Sequence, residues 1–439
     1  MSGLPLYSTK NTMTRASWRD AVLSGIAPDG GLYLPVNFPL LSQQEITDLK
    51  GRTFSEVATV LARRFIGDEV PQEVISHICA EAFNFPLERR ELAPKLSVLE
   101  LFHGPTCAFK DFGARFMARL FRYFWGSQSR QLTVLVATSG DTGSAVANAF
   151  FDPSPNPPIR VVILYPKDKV SDVQRRQMTT LGGNVIALQV RGTFDDCQSL
   201  VKEALRDERL LANHALTSAN SINIARLLPQ AFYYAYATLL FNDSDGPLFV
   251  VPSGNLGNLT GGIIADKIGF KCKGFIAACN SNETFPRFLS SGVFIPQSSV
   301  ETISNAMDVG NPSNFYRITE LLKPGCETRS LNNFLRGCAV SDSDTLKAIT
   351  FYHSRYGYVL DPHTAVGAVA LDSMMGEYGA DTPKVLVATA HPGKFAPAVA
   401  QAIGSAPILP DRLSKVLLSS ERFIEIESHY SHLAGVLEA

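Results

Sequence analysis

The amino-acid sequence predicts an α/β fold built on mainly parallel sheets. From about residue 96 onward, short β-rich runs alternate with amphipathic helical patterns, and several of the β-rich runs are apolar without interruption. A strand with that pattern is covered on both faces, as in a parallel sheet between two layers of helices. The alternation of the two patterns is itself typical of parallel α/β architecture. The chain has 439 residues. Single cores stop growing at roughly 250 to 300 residues, so we expect two or three domains.

The first ninety or so residues predict a small, mostly helical unit. The segment "LSQQEITDL" contains a capping box formed by Ser42 and Glu45. Ser55 is expected to cap the next helix, and Pro71 is expected in the first turn of a third. We therefore predict a helical N-terminal domain.

A domain boundary is predicted where this helical pattern ends. Residues 85–95, "FPLERRELAPK", carry two prolines and a run of charge. We place the N-terminal domain at residues 1–92 and the catalytic core at residues 93–439, with a smaller nested α/β domain at about 130–235.

Seven strands are predicted in the core, at residues 96–102, 132–138, 160–166, 184–190, 248–253, 274–279 and 384–390. A helix is predicted over 111–125, where an apolar stripe recurs every four residues at Phe112, Phe116, Leu120 and Phe124. This helix directly follows Lys110, which therefore lies at a strand-to-helix junction. A lysine is usually a solvated surface charge. The alternative is a desolvated amine, whose pKa falls and which becomes a nucleophile able to form an imine.

Composition favours small-molecule chemistry. The net charge is −1 and the cations are scattered, so nothing resembles a nucleic-acid-binding stripe or a membrane-binding cluster. The seven cysteines are widely spaced without a Cys-x-x-Cys pair, which indicates a reducing compartment. The sequence shows neither an export signal nor an apolar run of ~18 residues. We expect a cytoplasmic enzyme.

Ligands of open parallel sheets bind beyond the carboxyl ends of the strands, and four such junctions carry unusual loops. The first is "HGPTCAFKDFG", which contains Lys110. The second, "ATSGDTGSAVANAF" at 137–150, offers glycines, hydroxyls and a helix N-terminus to an anion or carboxylate. The third, "VVPSGNLGNLTGG" at 250–262, supplies a run of backbone N–H donors that suits a phosphate. The fourth, "VLVATAHPGKF" at 385–395, places the neutral hydroxyl of Thr389 at the end of a buried strand.

These loops together suit pyridoxal phosphate. An imine-forming lysine, a phosphate loop and a neutral hydroxyl provide partners for its aldehyde, its phosphate and its ring nitrogen. The third loop lacks the spacing of a dinucleotide or Walker motif, which disfavours larger nucleotide cofactors.

Seven segments resemble, in this order, the signature segments of the threonine synthase family: "ELFHGPTCAFKDFGARF", "ATSGDTGSAVA", "ANSINIARLLPQ", "VPSGNLGNLTGG", "AMDVGNPSNFYR", "DPHTAVG" and "ATAHPGKF". The stretch "GIAPDGGLYLP" also resembles the opening segment of that family. The resemblance covers about residues 20 to 400. It implies a tryptophan-synthase-β-like fold (fold type II), pyridoxal 5'-phosphate as cofactor, and conversion of O-phospho-L-homoserine and water to L-threonine and phosphate.

The resemblance also implies roles for individual residues. Lys110 matches the lysine that bonds to the cofactor, and Thr389 matches the hydroxyl that faces its ring nitrogen. The cofactor-phosphate loop corresponds to Ser253, Gly254, Asn255, Leu256, Gly257 and Asn258. The family loop usually reads Gly-Asn-Phe-Gly-Asp, so Leu256 and Asn258 depart from it. Asp141 is expected near the ring hydroxyl, and the substrate is expected to contact Ser139, Thr142, Ser144, Lys167 and Arg226.

The departing phosphate needs cationic or hydroxyl partners, and the candidates are Lys167, Lys169, Arg226, Asn314 and Arg317, with Arg226 and Lys167 ranked first. His103 and His391 flank two of the loops, and either could orient a phosphate. "HYSH" at 429–432 has metal-like spacing without a neighbouring cysteine or carboxylate cluster, so no metal site is predicted. The residues themselves leave the oligomeric state open; the long form of the family, with its N-terminal domain, is often monomeric, and the resemblance alone implies a monomer.

Two other functions fit the residues. One is a threonine-synthase-like phospho-lyase that releases 2-oxobutyrate instead of adding water. The other is a cofactor-free protein that holds a small phosphorylated ligand in the glycine-rich loops. In the main hypothesis Lys110 is the general base for the α-proton.

Overall fold

The computed structural model describes residues 3–126, 128–241, 246–323 and 334–438. Its α-helices are α1 (Trp18–Ser24), α2 (Gln43–Asp48), α3 (Phe54–Ile66), α4 (Gln72–Ala82), α5 (Lys110–Trp125), α6 (Asp141–Phe150), α7 (Asp172–Thr179), α8 (Phe194–Ala204), α9 (Glu208–Asn213), α10 (Ile224–Leu239), α11 (Gly257–Lys267), α12 (Thr284–Ser291), α13 (Phe315–Leu321), α14 (Asp342–Tyr356), α15 (Pro362–Met374), α16 (Ala396–Ile403), α17 (Asp411–Leu417) and α18 (Tyr430–Glu438).

The strands are β1 (Leu6–Ser8), β2 (Tyr33–Pro35), β3 (Glu88–Ala93), β4 (Leu96–Glu100), β5 (Leu132–Ala137), β6 (Ile159–Pro166), β7 (Val185–Arg191), β8 (Ala215–Ser218), β9 (Leu248–Pro252), β10 (Gly274–Cys279), β11 (Leu335–Ala339), β12 (Lys384–Ala388) and β13 (Ile424–Glu427). All seven predicted strands are present, with ends within two residues of the prediction.

Two large sheets carry the fold. A six-stranded sheet has the order β11-β10-β9-β12-β4-β3 and is parallel except for the β3–β4 pair. A five-stranded sheet has the order β13-β7-β6-β5-β8 and is parallel throughout. β1 and β2 form a small antiparallel pair in the N-terminal region. The predicted α/β class with mainly parallel sheets is confirmed.

Helix starts in the N-terminal region follow capping chemistry. The predicted capping box of Ser42 and Glu45 is confirmed. The prediction for Ser55 is wrong, because helix α3 already begins at Phe54 and is capped by Thr53, which forms a capping box with Glu56. Pro71 stands at the cap position of α4, immediately before its first residue.

The predicted domain division at residues 92 and 93 stays a prediction. Strand β3 ends at Ala93 and pairs with β4 of the six-stranded sheet, so its residues belong to the sheet of the core. The chain end also returns to the core, because β13 pairs with β7 of the five-stranded sheet. In the part of the chain that the structure describes, no helix is both long and apolar enough to span a membrane.

A buried arginine ties three parts of the fold together. Arg317 in α13 is fully buried. Its guanidinium donates to the backbone oxygens of Tyr33 (3.0 Å) and Ile222 (2.7 Å) and to the side chain of Asn314 (2.8 Å). These bonds occupy the donors of the Arg317 guanidinium. Arg317 therefore stabilises the fold and does not offer its donors to a phosphate.

Candidate active site

A cavity lies where strand ends and helix starts from both large sheets converge. It is lined by the first residue of α5, the start of α6, the loop that leads into α11, and the residues that follow β5, β9 and β12. Parallel strands present their carboxyl ends at one edge of a sheet, which is where such folds bind ligands. The loops predicted from the sequence therefore meet at one place.

Lys110 opens helix α5 and faces this cavity. The two loops on either side are joined by backbone contacts, since Phe109 donates to the carbonyl of Thr389 (2.8 Å) and His391 donates to that of Cys107 (3.0 Å). The lysine side chain is exposed only in part. Desolvation lowers the pKa of its amine to about 8, with positive charge on Arg226 and Lys394 adding to the effect and Asp141 opposing it. This geometry favours the interpretation of Lys110 as a desolvated amine over that of a solvated surface charge.

A second buried lysine stands behind the cavity wall. Lys394 is 1% exposed and pairs with Asp141 at 2.8 Å between Nζ and Oδ1. The Lys394 amine also donates to the carbonyl of Thr106 (2.9 Å). Because this amine is engaged by two acceptors, it is not free to act as a nucleophile. Lys394 lies in the segment "HPGKF", and the sequence alone predicts no role for it; the available signal is a lysine six residues after the end of β12.

Asp141 is held ionised at the start of α6. Burial would raise the pKa of this carboxyl, but the neighbouring charges of Lys394 and Lys110 lower it below its usual value. Gln174 also donates to its Oδ1 (3.0 Å). The loop before it is tightly shaped: Gly140 has φ of +136°, and a Cβ there would meet the Gln174 side chain at 2.4 Å. Asp141 is thus a fixed negative charge beside Lys110.

The loop from Ser253 to Asn258 presents backbone amides to the cavity. Leu256 adopts a left-handed conformation (φ +61°), which turns the chain into α11. The amides of Gly257 and the next residues have no acceptor inside the helix, because they form its first turn. Side chains hold the loop in place: Asn255 Oδ1 accepts from the backbone of Ser313 (3.2 Å), and Asn258 Oδ1 accepts from two tyrosine hydroxyls. Free amides at a helix N-terminus suit a phosphate.

The two departures from the family loop have visible consequences. Leu256 is 2% exposed and packs in the core below the loop. Asn258 binds the hydroxyls of Tyr233 (2.5 Å) and Tyr234 (2.9 Å) as a neutral acceptor. An amide at this position adds no negative charge beside a bound anion.

Gly254 is the close-approach position of this loop. A Cβ there would lie 2.9 Å from the Cα of Met307, which is backbone and cannot move aside easily. We expect Gly254→Ala to displace the loop and to weaken cofactor binding by about tenfold or more, since one charge-assisted hydrogen bond is worth roughly 1.5–3 kcal/mol. Equilibrium titration of the apoprotein with pyridoxal phosphate measures this. The matched control is Gly376→Ala, because a Cβ there meets nothing within 4 Å; equal losses in both variants would contradict the close-approach argument.

Arg226 is a buried cation beside the cavity. It is 4% exposed, and its Nη1 donates to the carbonyl of Ala219 (2.7 Å). Among the described residues its Nε has no hydrogen-bond partner. Burial lowers the pKa of this guanidinium to about 10. Buried charges are unfavourable unless they are paired, so this site is built for an anion.

The predicted substrate residues divide into two groups. Ser139, Thr142 and Arg226 line the cavity. Ser144 is fully buried, outside the cavity lining, and donates to the carbonyls of Gly140 (3.1 Å) and Gln174 (3.2 Å). Lys167 also lies outside the lining and pairs with Glu425 at 2.8 Å. The geometry does not favour substrate contacts for Ser144 and Lys167, and these two assignments stay predictions.

The predicted cofactor residues all line the cavity: Lys110, Asp141, Ser253, Gly254, Asn255, Leu256, Gly257, Asn258 and Thr389. His363, which the sequence reasoning left without a role, lines it as well. The histidines that flank the key loops have structural partners instead. His103 Nε2 bonds to Glu100 (2.7 Å), and His391 Nδ1 accepts from the amide of Gly393 (3.0 Å).

These residues fit pyridoxal phosphate. The cavity offers an amine of lowered pKa, a glycine cradle that a Cβ would fill, and unpartnered nitrogens on Arg226 and Asn258 among the described residues. The family model for "Pyridoxal-phosphate dependent enzyme" matches residues 86–390. Fold and site thus define a pyridoxal-phosphate-dependent enzyme.

Further comparisons narrow the class. Models for "Threonine synthase N terminus" and "Threonine synthase, C-terminal" match residues 6–83 and 364–436. The chain belongs to the threonine synthase family. It is 40% identical to threonine synthase of Escherichia coli over 94% of each chain, and 33% identical to that of Saccharomyces cerevisiae over 95% of this chain and 94% of the relative.

Solved structures agree with this assignment. The crystal structure of threonine synthase from E. coli matches with a TM-score of 0.92 and 38% identity over 99% of each chain. The structure of pyridoxal-phosphate-bound threonine synthase from Brucella melitensis matches with a TM-score of 0.89 and 33% identity, again over 99% of each chain.

Proposed function

We propose that this chain converts O-phospho-L-homoserine and water to L-threonine and phosphate with pyridoxal phosphate as cofactor. The observation that carries the proposal is that one cavity joins the low-pKa amine of Lys110 to the buried guanidinium of Arg226, whose Nε has no hydrogen-bond partner among the described residues. The amine of Lys110 is needed for amino-acid chemistry on this cofactor. The guanidinium of Arg226 suits a substrate that carries a phosphate.

The cofactor would be held by four parts of the cavity. Lys110 would bond to its aldehyde carbon, and the amides of the loop from Ser253 to Asn258 would bind its phosphate. Asp141 would accept a hydrogen bond from the ring hydroxyl, and Thr389 would face the ring nitrogen. When bound, pyridoxal phosphate supplies an electron sink that acidifies the C–H bonds near the substrate amine.

The protein side chains position the substrate and move its protons. Once the substrate amine has displaced Lys110 from the aldehyde carbon, the free neutral amine of Lys110 would accept the α-proton. After it has passed that proton on, the same amine could accept the β-proton. Arg226 holds the γ-phosphate as its C–O bond breaks, so that charge develops next to a fixed cation. Ser139 and Thr142 donate to the substrate carboxylate. Addition of water at the β-carbon, with protonation of the γ-carbon, completes threonine.

One assay tests the whole proposal. The purified protein is incubated with pyridoxal phosphate and O-phospho-L-homoserine, and threonine, phosphate and 2-oxobutyrate are measured together. We expect threonine and phosphate in equal amounts. Phosphate accompanied by 2-oxobutyrate instead would assign the chain to the phospho-lyase alternative, and no phosphate release would refute both enzymatic functions.

The rate of cofactor attachment should depend on pH through Lys110. Only the unprotonated amine attacks the aldehyde, and its pKa is lowered from 10.5 to about 8. The attachment rate should therefore rise about tenfold per pH unit below the pKa and level off above it. Mixing apoprotein with pyridoxal phosphate at several pH values, followed by absorbance, measures the profile. Nα-acetyl-lysine is the control; if the protein profile shared the midpoint of that free amine, Lys110 would not be desolvated.

We also propose an N-terminal domain of residues 1–92 on a core of residues 93–439, and a cytoplasmic location, both from the sequence pattern. The resemblance to the long form of the family supports a monomer. Sedimentation equilibrium at two protein concentrations checks the monomer, because a self-associating chain would gain apparent mass at the higher one.

A further inference from the structure

His363 lines the cavity without a role in the function proposed above. Its side chain is 2% exposed, and the ring of Phe395 packs edge-on against it at 4.7 Å between centroids. Asp361, the cap of helix α15, accepts from His363 Nδ1 (2.9 Å), from the His363 amide (3.0 Å) and from the Thr364 hydroxyl. A carboxylate in this position only accepts, so Nδ1 carries the proton. Nε2 is left as the free nitrogen of the ring.

Nε2 of His363 is buried and has no hydrogen-bond partner within the described parts of the chain. Buried polar atoms without a partner are rare and unfavourable. The imidazole cannot easily turn to reach a hydrogen-bond partner, because Asp361 fixes its other nitrogen and the ring of Phe395 packs against it. A molecule in the cavity is therefore the natural partner of this atom.

The position of α15 shows which part of the cavity His363 faces. A Cβ at Gly367 would touch strands β9 and β12, at 3.7 Å from Val250, 3.8 Å from Pro252 and 3.9 Å from Leu386. His363 precedes Gly367 by four residues, so it lies on the same helix face, one turn closer to the carboxyl ends of these strands. The cofactor-phosphate loop follows β9, and Thr389 follows β12. His363 thus belongs to the cofactor wall, whereas Ser139 and Arg226 follow strands of the other sheet.

Three polar groups of the cofactor already have partners in the proposed function, on which this step rests. Lys110 takes the aldehyde carbon, the loop from Ser253 to Asn258 takes the phosphate, and Asp141 takes the ring hydroxyl. The pyridine nitrogen has only the hydroxyl of Thr389. We propose that Nε2 of His363 accepts a hydrogen bond from the pyridine nitrogen of the cofactor when that nitrogen is protonated, with Asp361 fixing the imidazole.

This contact changes the chemistry expected at the ring nitrogen. A threonine hydroxyl is neutral and does not hold a proton there. An imidazole can share a proton with a pyridine nitrogen, and the Asp361 carboxylate balances the resulting charge. The Asp361–His363 pair would thus control how far the ring nitrogen is protonated.

The test uses pyridoxal phosphate labelled with ¹⁵N in the ring, bound to the full-length protein. The ¹⁵N chemical shift and the dissociation constant are measured for wild type, His363→Phe and Asp361→Asn. Phenylalanine removes both nitrogens but keeps a planar ring, and asparagine retains the helix cap. We expect His363→Phe to move the ¹⁵N resonance and to weaken binding about 10- to 100-fold, the value of one charge-assisted hydrogen bond. Asp361→Asn should move the resonance in the same direction by less.

The matched control is His77→Phe, because His77 has a side chain that is 73% exposed; it should change neither measurement. An unchanged ¹⁵N resonance and dissociation constant in His363→Phe overturn the proposal. If that variant does not fold, His363→Gln and Asp361→Asn decide, and an unchanged resonance in both overturns it equally. Failure of the proposed function looks different, since the wild-type protein would then fix no cofactor on Lys110 and form no threonine.

Discussion

Replacing Lys110 by alanine should reduce threonine formation by at least about a thousandfold, because covalent attachment and proton transfer are lost together. Treatment with borohydride followed by peptide mapping should fix a pyridoxyl group on Lys110 in the wild type and on no residue of the variant. Lys394 should not replace it, since its amine is already bound by Asp141 and Thr106.

The matched control is Lys347→Ala, a lysine whose side chain is 72% exposed. It should leave both turnover and cofactor attachment unchanged. Near-normal release of phosphate by Lys110→Ala would show that another residue accepts the α-proton. Labelling of Lys394 in the wild type would show that the wrong lysine has been assigned.

The strands that the sequence predicts and those that it misses differ in one physical respect. The seven predicted strands are the interior strands of the two large sheets, where burial on both faces leaves a continuous apolar run. In these two sheets the missed strands are β3, β8, β11 and β13, which are their four edges. An edge strand has solvent on one side, and β3 is mostly charged and exposed. A strand at the edge of a sheet therefore lacks the continuous apolar run by which the interior strands are predicted.

The candidate site divides in a similar way. Residues that follow interior strands, such as Lys110 and Thr389, could be found because a strand-end position marks them. Lys394 could not be assigned because its partner Asp141 is far away in sequence, and His363 could not be assigned because its place in the cavity depends on how its helix packs on distant strands. Lys394 acquires its role by pairing with Asp141, and His363 acquires its own from the contact with Asp361 and the packing of α15 on two strands.

Two cations that look equivalent in the sequence lie in different surroundings in the fold. Lys167 and Arg226 both lie in segments that resemble the family. Lys167 pairs with Glu425 and its side chain is 38% exposed, whereas Arg226 is 4% exposed and lines the cavity. Exposed ion pairs contribute little to binding, while a desolvated charge interacts strongly with an anion.

Arg226→Gln should therefore lower kcat/KM for O-phospho-L-homoserine by about a hundredfold or more, since it removes a preorganised charge from the departing phosphate. Lys167→Gln, the matched loss of a cation, should change kcat/KM less than about threefold, as expected for an exposed ion pair. The dissociation constant for pyridoxal phosphate should stay within a few fold in both variants, because the amides of the loop from Ser253 to Asn258 bind the cofactor phosphate. Steady-state kinetics and cofactor titration measure these quantities.

A large loss in Lys167→Gln with normal kinetics in Arg226→Gln would place the substrate phosphate near Lys167. Loss of cofactor affinity in Arg226→Gln without a specific effect on the substrate would instead assign this guanidinium to the cofactor.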